Sequence, residues 1–65
     1  MKIKFVFYLK SGSVFETVAE MTPEEFETIV NTIIGSFQTV SRGYISLGTS
    51  IINLNECAVV DWEEL

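Results

Sequence analysis

One segment constrains the fold more than any other: Met21-Thr22-Pro23-Glu24-Glu25-Phe26, followed by apolar residues at helical spacing. Thr22 is placed to accept from the backbone of the first turn, and Pro23 suits the first helical position. Glu25, three residues after the cap, completes a capping box. Met21 and Phe26 stand where a hydrophobic staple belongs. Phe26, Ile29, Val30, Ile33, Ile34 and Phe37 then recur on one stripe, while Glu24, Glu27, Thr28, Asn31 and Thr32 cover the other side. A helix with one apolar stripe needs one apolar surface to pack against. The helix is expected to end near Ser36 or Phe37, where Gly35 weakens the last turn.

The flanking segments supply strands. Residues 1–10 alternate, with Met1, Ile3, Phe5, Phe7 and Leu9 on one face and Lys2, Lys4, Val6, Tyr8 and Lys10 on the other. Ser11-Gly12 marks a hairpin, and Val14 to Ala19 returns. A two-residue loop would set Glu16 against Phe7 on the apolar face. A three-residue loop, Lys10-Ser11-Gly12, instead sets Phe7 opposite Phe15, Ile3 opposite Ala19 and Lys2 opposite Glu20. The second register is the one expected. After the helix, Tyr44-Ile45-Ser46-Leu47 alternates, Gly48-Thr49 turns, and Ser50 to Leu54 runs back. Asn55-Glu56 interrupts before a last short strand, Cys57 to Trp62.

The expected architecture is a single α+β domain over residues 1–65, in the order ββαββ(β). It is read as a two-layer sandwich, an antiparallel sheet with one helix on one face. The second sheet face would carry Val6, Tyr8, Val14, Val18 and Tyr44, too apolar for a wet surface. That composition points to self-association.

Charge and residue types remove whole classes of function. Four basic against nine acidic residues give a net charge of −5, which argues against nucleic-acid and anionic-membrane partners. There is no histidine and one cysteine, so a Ser-His-Asp triad, His/Cys zinc sites and an internal disulfide are not available. The lone Cys57 suits a reducing cytoplasm and reads as a buried strand residue. The longest apolar run, Phe5 to Leu9, is far short of a membrane span. A cytoplasmic protein without a metal or cofactor is expected.

The remaining candidates are binding residues. Glu24, Glu25 and Glu27 read as complements to the helix dipole. Arg42, the only arginine, precedes Gly43-Tyr44 and is a candidate for a phosphate or carboxylate, or else a solvated loop residue. Trp62, among Asp61, Glu63 and Glu64, either docks into a basic groove of a partner or folds back onto the core. Tyr8 belongs to the second sheet face. Arg42, Tyr44, Tyr8 and Trp62 are therefore the candidate ligand- or partner-binding residues, and no catalytic set is assembled.

Three stretches together resemble small proteins encoded by phages and prophages of Gram-positive bacteria. They are Lys4 to Gly12, Met21 to Phe26, and Ile52 to Val60. The resemblance implies the ββαββ(β) fold and an accessory, non-enzymatic role. Such a role is stoichiometric binding of a host protein, including anti-defence action, or sequestration of a signal molecule. A separate expectation is a small-ligand pocket between subunits, built around Arg42, Tyr44 and backbone amides. A third expectation, from charge alone, is an acidic mimic of nucleic acid in a basic groove.

Overall fold

The computed structural model describes residues 1–40 and 42–65. Its elements run β1 (Lys2–Leu9), β2 (Val14–Glu20), α1 (Pro23–Phe37), β3 (Tyr44–Leu47), β4 (Ser50–Asn53), a 3-10 turn (Leu54–Glu56) and β5 (Cys57–Glu64).

The first hairpin has the three-residue register. Phe7 pairs with Phe15, Ile3 with Ala19 and Lys2 with Glu20. Leu9 N–H donates to the Ser13 carbonyl at 2.8 Å, and Gly12 N–H donates to the Leu9 carbonyl at 2.9 Å. Gly12 has φ +96°, the left-handed conformation that this loop requires and that glycine adopts without strain. The capping box is complete. Glu25 N–H donates to Thr22 Oγ1 at 3.1 Å, and Thr22 N–H donates to Glu25 Oε1 at 2.9 Å.

The expectation of one sheet is corrected. The strands form two antiparallel sheets, β2-β1-β5 and the separate hairpin β3-β4. The physical reason lies in the hairpin's side chains. Ile45, Leu47 and Ile52 are buried in one cluster with Ile3, Phe5 and Phe7 of β1 and Ile33 of α1. The hairpin thus spends its apolar face on the core instead of lengthening a sheet edge. Tyr44 consequently leaves the face expected for it and stands on β3 opposite Asn53.

Strand β5 extends two residues beyond the expected end at Trp62, because β1 has a full second edge to satisfy. Leu65 N–H donates to the Lys2 carbonyl at 2.9 Å, continuing the ladder past the strand. The helical stripe is also narrower than its spacing suggests. Ile33 is buried and Phe26, Ile29 and Phe37 pack on the core, but Ile34 is 47% exposed. Buried Ser36 takes a place on the inner side, its hydroxyl donating to the Ile33 carbonyl at 2.7 Å.

Candidate functional site

Directly opposite residues in an antiparallel pair share a face, so the β1 registers lay out the open side of the three-stranded sheet. Tyr8 stands between Val14 of β2 and Val59 of β5. Val6 lies between Glu16 and Asp61, and Lys4 between Val18 and Glu63. Lys4 Nζ approaches Glu63 Oε1 at 3.7 Å. The face is therefore graded. One end is an apolar row centred on a phenol, the middle is acidic, and the far end is ion-paired. Tyr8 is 39% exposed although it sits on the central strand. A depression of about 280 Å³ runs here, lined by Lys4, Val6, Tyr8 and Glu16 and by Asp61, Trp62 and Glu63 of β5.

A second concavity opens on the opposite side, where the hairpin β3-β4 leaves part of β2 uncovered. It is an apolar groove of about 450 Å³ lined by Phe7, Leu9, Phe15, Ile51 and Ile52, with Ser50, Asn53 and Glu56 at its rim. Phe15 points to the core side and its ring lies tilted against Phe7 with centroids 6.2 Å apart, yet it stays 38% exposed. Sequence reasoning missed this groove. Alternation assigns Phe15 to the inner face correctly, but nothing in the local pattern tells which part of that face goes uncovered.

Arg42 is half-buried and held by the fold rather than loose in solvent. Its guanidinium lies 4.1 Å from the centroid of the Phe37 ring, and Nη1 donates to the Cys57 carbonyl at 2.6 Å. Its backbone N–H donates to Asn55 Oδ1 at 2.8 Å. Asn55 is held in turn by Asn53, whose Oδ1 accepts from the Asn55 backbone N–H at 3.0 Å and from Nδ2 at 3.2 Å. The arginine thus joins the helix end, the 3-10 turn and the start of β5. Cys57, fully buried beside it, donates its thiol to the Asn53 carbonyl at 3.6 Å. Burial pushes this thiol above its ordinary value, aided by the Glu56 charge and opposed by Arg42 and Lys10. A thiol so placed stays protonated and is a poor nucleophile.

Of the four expected binding residues, Tyr8 and Trp62 both line the depression along the sheet, while Arg42 and Tyr44 stand away from it. Tyr8 is on the open face of the sheet. Trp62 pairs with Phe5 on the inner face and borders a hollow shared with Ile33 and Phe37, so it packs against the core. Arg42 stacks on the same Phe37, and Tyr44 is exposed on the second hairpin. Val59, Phe15 and Ile51 are the surface residues that sequence reasoning did not single out. The composition of β5, three acids around a tryptophan, hides the contribution of Val59 to the Tyr8 row. Among the described residues no cluster of carboxylates or thiols of metal-binding size forms, and no helix is long and apolar enough to cross a membrane. No protein-family model, curated protein or solved structure matches the chain.

Proposed function

We propose that this chain is a non-enzymatic binding factor that acts stoichiometrically and as a homo-oligomer, of the accessory and anti-defence kind that phages direct at host components. The observation that carries the reading is the open row Val14-Tyr8-Val59 beside Glu16 and Asp61. An apolar strip with a hydrogen-bonding phenol and an acidic border suits a protein surface that is apolar with basic neighbours. The same acids disfavour nucleic acid and anionic lipid.

The test pairs solution mass with partner capture. Light scattering at micromolar concentration is expected to give a multiple of the 7.3 kDa chain mass. Tyr8→Lys is expected to keep the circular dichroism spectrum and lose partner capture from host lysate. A mass of one chain at every concentration overturns the oligomeric part, and unchanged capture by Tyr8→Lys overturns the assignment of the face.

A second reading, sequestration of a small molecule, is favoured by the groove at Phe15 and Ile51. Its volume lies within the range of about 300–1,000 Å³ typical of ligand sites. An apolar fluorescent probe displaced by Phe15→Asp supports it, and a probe that ignores this substitution removes it.

A further inference from the structure

We propose that the free edge of β2 is the seam along which a second copy of this chain adds, antiparallel, about a two-fold axis at Thr17. The proposal rests on the homo-oligomeric reading above and names the surface that joins the copies.

The direction of the backbone groups comes first. Met1 and Met21 exchange hydrogen bonds both ways at 2.8 Å, and Leu9 N–H donates to the Ser13 carbonyl. Hydrogen-bonded pairs alternate along an antiparallel ladder, so odd-numbered residues from Ser13 to Met21 turn their N–H and C=O toward β1. Val14, Glu16, Val18 and Glu20 turn theirs away, to an edge that no described strand covers.

The two edges of the sheet are not alike. β5 carries Asp61, Glu63 and Glu64 within four residues, and its pairing with β1 shifts register between Tyr8 and Leu9. Clustered charge and a bulge are the features that keep an edge from pairing. β2 (Val-Phe-Glu-Thr-Val-Ala-Glu) has no proline, no lysine and no register shift against β1.

Register then selects the occupant. With the two-fold axis at Thr17 all seven residues of β2 pair. Val14 faces Glu20 of the second copy, Phe15 faces Ala19, Glu16 faces Val18, and Thr17 faces its own copy. No carboxylate stands directly opposite another. Glu16 and Val18 both point their backbone groups outward, so they form a hydrogen-bonded pair as the ladder requires. Moving the axis to Glu16 sets that acid against itself, and moving it to Val18 sets Glu16 against Glu20. On the inner face the half-exposed Phe15 ring meets a small alanine. The product is a continuous six-stranded sheet, β5-β1-β2-β2-β1-β5, with both Tyr8 rows left open for a partner.

The experiment uses the one position that the two-fold axis sets against itself. In a Cys57→Ala background, Thr17→Cys and Glu20→Cys are oxidised and run without reductant. A non-hydrogen-bonded pair brings Cα atoms to about 4.5 Å, within disulfide reach, so Thr17→Cys is expected to form a covalent dimer. Glu20 lies six residues from its copy, about 20 Å along the strand, so Glu20→Cys is expected to stay uncrosslinked. Val18→Lys and Val18→Glu provide a second readout by sedimentation. Each sets a charge opposite Glu16 of the second copy twice per dimer, so the lysine variant is expected to dimerise roughly tenfold more tightly than the glutamate variant. Within one chain Val18 lies across from Lys4, so effects on monomer stability run in the opposite order. Wild-type dimers with no preference for the Thr17 crosslink and no ordering of the Val18 variants overturn the β2 seam and leave the oligomeric reading standing. A wild-type chain that stays monomeric overturns both.

Discussion

Arg42 and Cys57 show how tertiary contacts give a structural role to residues that look functional in sequence. A lone arginine after a helix invites an anion, but here the guanidinium stacks on Phe37 and holds the Cys57 carbonyl. Lysine lacks the planar group that does both. Arg42→Lys is therefore expected to lower stability by about 1–2 kcal/mol in urea unfolding, while leaving any anion binding unchanged. Cys57 is expected to be dispensable for binding. Cys57→Ser should cost about 1–3 kcal/mol because a more polar hydroxyl on a shorter bond is buried where the thiol reaches the Asn53 carbonyl, with Cys57→Ala milder. The thiol is raised above 9.0 in the fold, so its contribution is present below that value. It is lost as pH rises and the unfolded chain's thiol ionises first. Melting temperatures above pH 9 should fall less steeply for Cys57→Ala than for the wild type.

At the scale of elements, the helix start is local chemistry and the sheet is shared chemistry. Thr22→Ala removes the cap and should cost about 1 kcal/mol, read by denaturant midpoint. Phe5→Ala opens a cavity at a fully buried centre and should cost about 3–5 kcal/mol. Phe26, on the helix, is only half-buried, so its truncation should fall between the two. Hydrogen bonds from Thr22 hold the Glu25 carboxyl below its ordinary 4.5. The stability it contributes is present above that value and fades as pH falls through the lower folded value. Glu25→Gln should flatten the acid limb of a plot of melting temperature against pH. A limb of unchanged slope would show that the capping box does not act on folding.

At the scale of the molecule, the proposed joining of two copies, each of net charge −5, would work against charge repulsion. Screening acts mainly on the exposed acids, with a Debye length of about 10 Å at 0.1 M salt. Self-association should therefore tighten as salt rises, the reverse of what a basic partner bound by the same acids would show. Sedimentation at low and high salt separates the two, and a dimer that weakens with salt would contradict an acid-lined seam. Such a chain is also small enough to gain stability from a second copy, since few of its side chains are fully buried.

The sequence alone determined whatever rests on neighbours within one element or one hairpin. Thr22, Pro23 and Glu25 specify a helix start because caps act over three residues, and Gly12 selects the loop that sets Phe7 against Phe15. Alternation in β1 determines its two faces, and with them the open Tyr8 row. Tertiary structure decided what lies between elements. Whether Tyr44 extends the main sheet or belongs to a second one depends on where Ile45, Leu47 and Ile52 find apolar cover, and periodicity carries no such address. The groove beside Phe15 and the clamp formed by Arg42 have the same origin. Each depends on segments apart in sequence, Phe15 with Ile51 and Arg42 with Cys57, brought together by burial of a shared core rather than by any local rule.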